Sequence, residues 1–278
     1  MAYPGPRDLS SALFNSICGK LGPVKNKSLG LKHGQIRHVA QKSNGSTEVI
    51  YGKNAVLESL HQGTRSFHEI LVLQQHYDDL LEVSKGVPVR VLQKHDLDKI
   101  TATKHHQGIA AKVSAYHYAD LKDLYPLKCV ILLDSVEDPQ NLGSIIRTAY
   151  ALAHAGVIIP EHRSAPITPA VVKASSGATE HVKIARVKNL RAAAQDLKKN
   201  GFWLVGLEAD APGDISRTPV FDKLGLVLGG EDSGIRPVMT SELDLAVKIP
   251  MRGDFNSLNV SQAATIALYE LVVRERDT

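Results

Sequence analysis

Three short polar side chains stand at the start of the most hydrophobic segment of the chain. Ser257, Asn259 and Ser261 lie within FNSLNVSQA, and the apolar run ATIALYELVV follows without a break. A serine or asparagine before an apolar helix caps the free N–H groups of its first turn. One such residue is enough for a cap, so three of them predict that this helix start also orients a substrate or cofactor.

Polar residues and glycines also follow three other apolar runs, each of which is predicted to be a β-strand. With the ends of the runs that precede them, these segments read LLDSVEDPQNLGSIIR, VGLEADAPGD and LVLGGEDSGIRP. Because ligands of open α/β sheets bind beyond the carboxyl ends of the strands, these segments are expected to meet at one site. Glycine lets the backbone approach a ligand closely, although each glycine alone equally fits a tight turn. The glycines concerned are Gly206, Gly229, Gly230 and Gly234.

Asn141 and Arg147 belong to the first of these segments, which is predicted to be a helix rich in apolar residues. Either Asp138 or Asn141 fits the cap of this helix, and Gly143 allows another element to pack closely against it. A lone arginine on such a helix is ordinarily a surface residue whose stem covers apolar atoms. The nearby helix start favours anions, which makes a phosphate or hydroxyl contact the alternative role of Arg147.

The chain after residue 47 alternates short β-branched runs with amphipathic helical ones. This alternation is typical of βαβ units around a mostly parallel sheet. A polar segment with Pro126 divides it, so we predict a small α/β domain at 48–116, a linker at 117–127 and a larger domain at 128–278. The strands of the larger domain are continuous apolar runs, as expected for a sheet with helices on both faces.

Residues 1–47 carry seven basic residues and one acid, and they lack apolar periodicity. We interpret them as a flexible basic arm that is a solvated extension. Two alternatives stay open. One is an organelle-targeting peptide, which is acid-poor like this arm but richer in arginine. The other is a tail that neutralises RNA phosphates.

Composition and absent motifs argue against several classes of protein. The 278 residues carry a formal charge of +4, which suits a polyanionic partner without requiring one. Two cysteines, Cys18 and Cys129, are too few for a disulfide framework or a thiolate metal cluster and fit a reducing compartment. No apolar run reaches the roughly 20 residues of a membrane span, so we expect no membrane partner.

Nucleotide, hydrolase and metal motifs are also absent from the sequence. It contains no GxxxxGKS/T, GxGxxG or GxSxG, which argues against ATP, nicotinamide and serine hydrolase chemistry. The adjacent His105 and His106 cannot share one metal as an i, i+4 helical pair can, and no cysteine or carboxylate cluster accompanies them. We therefore expect no metal site.

Three motifs, in order along the chain, resemble those of the SpoU family of RNA ribose 2′-O-methyltransferases. They are NLGSIIR with Asn141 and Arg147, LVLGGEDSGI with Glu231, and IPMRGDFNSLNVSQA with Ser257 and Asn259. The preceding segments, YGKNAVLESL to HQGIAAKV, resemble the small substrate-binding domain of the branch that methylates guanosine of ribosomal RNA. The resemblance covers roughly residues 48–275, nearly everything except the arm.

This resemblance implies an α/β protein with a trefoil-knotted parallel-sheet catalytic domain, a smaller N-terminal α/β substrate-binding domain, and a homodimeric state. It implies S-adenosylmethionine as the cofactor and 2′-O-methylation of a ribose as the reaction, expected on a guanosine of large-subunit ribosomal RNA. The polar catalytic group would consist of Asn141, Arg147, Glu231, Ser257 and Asn259. The cofactor would lie against Gly206, Leu207, Gly229, Ile249, Met251 and Leu258.

The resemblance assigns Arg147 as the base that deprotonates the ribose hydroxyl. A guanidinium stays protonated in proteins, so we hypothesise that Arg147 instead fixes the target phosphate and stabilises the developing alkoxide as a cation. The proton would then pass to water or to a carboxylate such as Glu231.

Basic side chains of both predicted domains form a candidate RNA-binding surface. Each of them alone is more commonly a solvated surface residue. Binding through phosphates requires affinity to fall steeply as salt rises. The residues are Lys53, Arg65, Lys104, His106, Arg163 and Lys173.

Three functions stay open at this point. The first is a ribosomal RNA guanosine 2′-O-methyltransferase, and the second is a transfer RNA or antibiotic-resistance ribosomal RNA methyltransferase. The third is a catalytically silent RNA-binding assembly protein on the same scaffold, against which the complete set of motif residues argues. We expect a cytoplasmic location, or an organelle if residues 1–47 are a transit peptide.

Overall fold

Two β-sheets with their helices make up the part of the chain that the structure describes. The computed structural model describes residues 46–231, 234–253 and 257–274. The predicted arm at 1–47 therefore lies outside the described residues, except for Ser46 and Thr47. None of the described helices is both long and apolar enough to cross a membrane.

The N-terminal sheet has four strands in the order β1-β4-β2-β3. Strand β4 lies between β1 and β2 and is antiparallel to both, and only β2 and β3 are parallel. The prediction of a mostly parallel sheet for this part is therefore wrong. The last strand, β4, returns to the centre of the sheet. Alternation of strands and helices along a sequence does not reveal this strand order. The strands are β1 (Thr47–Tyr51), β2 (Phe67–Val72), β3 (Val89–Val91) and β4 (Ile109–Ser114). The helices are α1 (Lys53–Gln62), α2 (Tyr77–Val83) and α3 (Lys94–Thr101).

The C-terminal sheet has seven strands in the order β7-β6-β5-β10-β8-β11-β9. Every neighbouring pair is parallel, which confirms the predicted parallel sheet of this part. The strands are β5 (Cys129–Asp134), β6 (Gly156–Pro160), β7 (Ile184–Val187), β8 (Trp203–Leu207), β9 (Gly213–Asp214), β10 (Leu224–Gly229) and β11 (Leu245–Lys248). The trefoil knot that the resemblance implies and the predicted linker at 117–127 stay predictions.

The helices of this second part cover both faces of the sheet. Strand β5 is buried at every residue, as its continuous apolar run predicts. Two clusters of buried apolar side chains lie against this sheet, one of which continues into the N-terminal sheet. The helices are α4 (Pro139–Thr148), α5 (Pro169–Ala174), α6 (Leu190–Lys199), α7 (Pro237–Thr240) and α8 (Val260–Leu268). Helices α4 and α8 each continue into a π-helical turn, at Ala149–Ala153 and Tyr269–Val273.

Caps and small residues fix where these helices begin and how closely they pack. Asp138 caps α4 by accepting a hydrogen bond from the Asn141 amide at 3.0 Å, and Pro139 occupies the first turn. A Cβ atom on Gly143 would lie 2.5 Å from the Ala174 Cβ, so only glycine permits this crossing of α4 and α5. The sequence-based expectation that Gly143 allows close packing is confirmed.

A buried ion-pair network joins the two sheets. The guanidinium of Arg65 donates from Nη1 to Glu48 at 3.0 Å and from Nε to Glu180 at 3.1 Å. Glu180 also accepts a hydrogen bond from the Thr64 hydroxyl at 2.5 Å. The guanidinium lies 5.0 Å from the centre of the Tyr116 ring, a cation–π contact. Paired charges of this kind resist separation, because breaking the pair would leave a buried charge without a partner.

Candidate active site

The carboxyl ends of four adjacent strands carry the residues singled out in the sequence. Strands β5, β10, β8 and β11 are consecutive in the sheet. Because these strands are parallel, the segments that follow them emerge at the same edge. The prediction that four polar and glycine-containing strand ends share one edge is therefore confirmed.

A cavity of about 530 Å³ opens at this edge, among the segments that follow β8, β10 and β11. The first turns of α8 complete its wall through Val260 and Ala263. Two carboxylates, Glu208 and Asp210, also line it, although the sequence had not singled them out. Five of the six residues that the resemblance assigns to the cofactor line this cavity: Leu207, Gly229, Ile249, Met251 and Leu258.

Gly206, the sixth of these residues, has a packing role instead. It is buried within β8, and a Cβ atom there would lie 2.3 Å from Leu243 Cδ1 and 3.1 Å from Ile235 Cδ1. The absent side chain leaves room for these two apolar residues. We therefore correct the expectation for Gly206, which does not line the cavity.

Gly229, the last residue of β10, and Gly230 after it let the backbone approach Gly234 and Ser135 closely. A Cβ atom on Gly229 would lie 2.0 Å from the Gly234 carbonyl carbon, and one on Gly230 would lie 2.3 Å from the Ser135 oxygen. The Gly234 amide donates to the Gly230 oxygen at 3.0 Å, and Gly234 has a φ of +60°. A side chain at Gly229 or Gly230 would force the loop open, so these glycines shape the cavity wall.

Asn141, Glu231 and Asn259 form a hydrogen-bonded group that we name the amide–carboxylate cluster. Asn141 Nδ2 donates to Glu231 Oε1 at 2.8 Å, and Asn259 Nδ2 donates to the same oxygen at 2.8 Å. Asn259 Nδ2 also lies 2.9 Å from Asn141 Oδ1, to which it donates. Residues from three of the four strand ends thus converge on one carboxylate oxygen.

The starts of two helices position this cluster. Asn141 lies in the first turn of α4, where Asp138 holds its amide. Asn259 is the N-cap of α8, and its Oδ1 accepts from the Ser261 amide at 2.9 Å and the Ser261 hydroxyl at 2.6 Å. With Oδ1 bound to the helix start, Nδ2 is free to donate to Glu231. The predicted double role of this helix start, capping and orientation, agrees with this geometry.

A second cavity of about 310 Å³ adjoins the first at the cluster. It is lined by Ser135, Asp138 and Asn141 on one side, and it shares Glu231 and Val260 with the larger cavity. Glu231 therefore stands between two cavities. From the described residues, its Oε1 receives both amide hydrogen bonds, and its Oε2 receives none.

Arg147 and Ser257 form no hydrogen bond with the cluster in the described structure. Arg147 is exposed, and its Nη1 donates to the Ser176 hydroxyl at 3.2 Å. It follows Asn141 by six residues on α4, which is about 9 Å along the helix axis. Ser257 is exposed and lines the larger cavity. Of the five residues assigned to catalysis, the structure thus joins three, places Ser257 at the larger cavity, and leaves Arg147 in the last turn of α4, outside the lining of both cavities.

Four of the six predicted RNA-binding residues have accessible side chains. Lys53, Lys104 and Arg163 are exposed, and Lys173 is half-buried at the end of α5. A Cβ atom on Gly52 would lie 2.6 Å from Lys173 Cδ, so this lysine packs against the N-terminus of α1. Desolvation lowers the pKa of Lys173 below its usual range.

Arg65 and His106 are buried, and we correct the expectation that they contact RNA. The Arg65 side chain is 2% exposed and serves the ion-pair network between the sheets. His106 accepts from the Gly108 amide at Nδ1, at 2.8 Å, which leaves the proton on Nε2 to be donated to Asp98 at 2.7 Å. Arg65 commits Nε and Nη1 to carboxylates, His106 commits both ring nitrogens, and both residues are buried, so neither presents a charged surface to a phosphate.

Asp134 and Arg236 form a further pair that sequence reasoning missed. The Asp134 side chain is fully buried at the end of β5, and it accepts from the Arg236 amide at 2.9 Å and from Arg236 Nε at 2.7 Å. The pair holds the far end of the loop that carries Glu231. The sequence did contain a signal for this pair, since Asp134 ends the apolar run CVILLD. A carboxylate at the end of a buried strand requires a partner.

Both parts of the chain match known families. Residues 128–269 match the SpoU rRNA Methylase family, and residues 49–119 match the RNA 2′-O ribose methyltransferase substrate binding family. The chain is 39% identical over 242 residues to a Staphylococcus aureus (strain MSSA476) protein assigned to the TrmH family of tRNA/rRNA methyltransferases. That match covers 82% of this chain and 97% of the relative. A Bacillus subtilis (strain 168) protein of the same assignment is 37% identical over 243 residues, 83% of this chain and 96% of its own length.

Solved structures share the fold. The SpoU methyltransferase AviRb from Streptomyces viridochromogenes, in complex with the cofactor AdoMet, is 26% identical and has a TM-score of 0.68. It covers 80% of this chain and 88% of its own. An AdoMet-bound rRNA methyltransferase from Sinorhizobium meliloti has a TM-score of 0.70 at 23% identity, over 81% of this chain and 86% of its own, and supports the fold alone.

The two family matches, the relatives and the fold lead to the same assignment. The matched regions contain the amide–carboxylate cluster and the cavities beside it. This chain therefore belongs to the SpoU family of RNA methyltransferases.

Proposed function

We propose that this chain transfers a methyl group from S-adenosylmethionine to the 2′-hydroxyl of a guanosine ribose in large-subunit ribosomal RNA. The observation that carries the proposal is the position of Glu231, which lines both cavities and is held by the two asparagines. The larger cavity then serves the methyl donor, and the smaller one serves the ribose that receives the methyl group. Glu231 lies where the two would meet.

The larger cavity fits S-adenosylmethionine in size and in lining. Its volume of about 530 Å³ falls in the range of roughly 300–1,000 Å³ that small-molecule sites occupy. The apolar side chains of Leu207, Ile249 and Leu258 suit the adenine ring. The carboxylates of Glu208 and Asp210 suit ribose hydroxyls and positive charge on the ligand. The AdoMet complex of the related AviRb supports this assignment.

The bound cofactor supplies a methyl group on a positively charged sulfur, which an oxygen nucleophile attacks in line. The contribution of the chain is alignment, which can lower a barrier by about 7 to 11 kcal/mol, together with removal of the hydroxyl proton. Glu231 accepts this proton at Oε2, the oxygen that no described residue occupies. The two asparagine amides hold the carboxylate in place while Asn141 and Asp138 contact the ribose from the smaller cavity.

Arg147 acts in the reaction as a cation and does not take the proton of the ribose hydroxyl. Its hydrogen bond to Ser176 uses one of the five donors of the guanidinium and leaves the others for a phosphate of the target nucleotide. A cation near the developing alkoxide stabilises it in the transition state. Ser257, at the rim of the larger cavity, orients the substrate or cofactor.

The RNA lies over both parts of the chain. The accessible side chains of the candidate RNA-binding surface are its proposed contacts, namely Lys53, Lys104, Arg163 and Lys173. The match of residues 49–119 to a substrate-binding family supports a contribution from the N-terminal sheet. We retain the domain limits 48–116 and 128–278, joined by a linker at 117–127, as part of this proposal.

Transfer RNA is the second candidate substrate, because relatives at 37–39% identity are assigned to tRNA/rRNA methyltransferases. A silent assembly protein would not need a carboxylate held between two cavities, so catalysis is the stronger proposal. The chemistry requires cellular RNA and S-adenosylmethionine, and we propose the cytoplasm as the location. An organelle remains the alternative if residues 1–47 act as a transit peptide.

Two copies of the chain form the proposed functional unit, a homodimer. A stripe of exposed apolar side chains follows α8 into its π-helical turn, and its members are 37–51% exposed. Apolar side chains clustered in this way are typical of surfaces that become buried on association. The stripe consists of Ile266, Tyr269, Val272 and Val273.

Deleting the gene should remove one 2′-O-methyl group from a guanosine of large-subunit ribosomal RNA. Mapping of 2′-O-methyl positions in total RNA from cells with and without the gene measures this loss. A loss confined to transfer RNA would replace the proposed substrate by the second candidate. Identical methylation maps in both strains would refute the proposed function.

Glu231→Gln should lower kcat by a factor of about 10² to 10⁴, because glutamine keeps the acceptor for both asparagines but cannot take a proton. Single-turnover methylation and S-adenosylmethionine binding by calorimetry measure the two effects separately, and binding should change little. Glu82→Gln, at an exposed glutamate of α2, is the matched control and should keep the parental rate. An undiminished rate in Glu231→Gln would exclude this residue as the proton acceptor.

Arg147→Lys should retain more activity than Arg147→Ala, because lysine keeps the positive charge although it loses the planar fork of donors. Initial rates at saturating cofactor, measured for both variants over a range of RNA concentrations, test this order. If lysine and alanine were equally inactive, the electrostatic role of Arg147 would be wrong.

Tyr269→Glu should shift the protein from dimer to monomer, because two carboxylates would face each other across the apolar stripe. Light scattering on the eluting protein gives the mass of each variant. Val220→Glu, at a valine that is 70% exposed outside the stripe, should leave the mass unchanged. A parental protein that elutes as a monomer would contradict the proposed dimer.

A further inference from the structure

A third cavity, of whose lining only Arg163 is already among the proposed RNA contacts, lies at the carboxyl ends of β6 and β7. It has a volume of about 520 Å³ and also contacts the N-terminus of α6. Five basic side chains line it: His162, Arg163, Lys188, Arg191 and Arg236. We name this feature the basic groove.

Two of these cations have no counter-charge in the groove. Arg191 pairs with Glu242 at 2.5 Å, and Arg236 pairs with Asp134, so their charges are largely balanced. Arg163 and Lys188 are exposed, and neither forms an ion pair with another described residue. The nearest acid in sequence, Glu161, does not line the groove. An anion entering the groove therefore meets at least two free positive charges.

The N-terminus of α6 also favours the binding of anions in the groove. Asn189 caps the ten-residue helix by accepting from the Ala192 amide at 3.2 Å, and the first turn contains no acidic residue. Asn189 and Leu190 both line the groove, so the positive end of the helix macrodipole faces it. The helix dipole and the basic side chains thus both favour a negatively charged ligand.

The position of the groove relates it to the amide–carboxylate cluster. Strand β6 neighbours β5, and β7 is the next strand outward, whereas the strands of the cofactor cavity lie on the opposite side of β5. Neighbouring strands are about 4.8 Å apart, so the ends of β6 and β7 lie within about 10 Å of the end of β5. Arg236, which lines the groove, closes the same loop that carries Glu231. Glu231 itself follows β10, which is two strands from β6 and three from β7, so the groove lies about 10 to 14 Å from the end of β10. Phosphates close to a ribose bound at Glu231 can therefore reach the groove.

We propose that the basic groove binds backbone phosphates of the substrate RNA next to the methylated nucleotide, with Lys188 and Arg163 as the principal contacts. This inference rests on the proposed function, because it extends the same RNA substrate along the sheet edge. Phosphate contacts fix register and orientation without reading sequence. The groove therefore sets where the strand lies, and the smaller cavity selects the nucleoside.

The test uses the full-length chain, tritiated S-adenosylmethionine and total RNA from a strain that lacks the gene. Lys188→Gln and Arg163→Gln should each raise the KM for RNA about fourfold at 0.15 M salt, since one lost single-strand phosphate contact lowers the salt slope by about 0.7. The double variant should raise it about fifteenfold, since the two contacts multiply, with kcat and cofactor affinity unchanged. Lys128→Gln is the matched control, because Lys128 is an exposed lysine at the opposite, amino end of β5.

The outcomes separate this inference from the proposed function. If the parental chain methylates the RNA and the groove variants match Lys128→Gln in KM and salt slope, the basic groove is not an RNA site. If the parental chain methylates no RNA, the proposed function itself fails. Thermal unfolding of each variant guards against a loss of fold, and a variant that unfolds early is replaced by its alanine counterpart in the same assay.

Discussion

The carboxylate of Glu231 is the interaction on which the candidate active site depends. One of its oxygens receives hydrogen bonds from Asn141 and Asn259, which are 90 and 28 residues away in the chain. The start of α4, the loop after β10 and the start of α8 are thereby fixed to one another. An acceptor that carries charge makes these bonds stronger than those between neutral groups. The loop that holds Glu231 is fixed a second time by the bonds between Arg236 and the buried Asp134.

Parts of this arrangement could be predicted because they are local. The parallel sheet follows from continuous apolar runs, and the cap of α8 follows from Asn259 before an apolar helix. The shared edge of the four strand ends follows from the rule that parallel strands end together. Asn141, Glu231 and Asn259 were identified through the resemblance of three motifs, and their mutual contacts agree with that grouping.

Other parts depend on contacts between distant segments, which residue types alone do not reveal. The position of β4 between β1 and β2 depends on which strands pair during folding, and these strands are distant in the sequence. The residue types of Arg65 and His106 indicate a basic side chain but not its burial, and both side chains are buried and bound to carboxylates inside the fold. Gly206 illustrates the same point, because a glycine that makes room for Leu243 looks the same in sequence as one that approaches a ligand.

The two ends of the Asn259 side chain have different tasks. Its oxygen caps α8 through Ser261, and its nitrogen holds Glu231 and Asn141. Replacing it with an apolar residue would remove both the hydrogen bond to Glu231 and the cap of the C-terminal helix. Evolution of this position is therefore constrained twice, and drift that preserves only the helix or only the chemistry would be removed by selection on the other.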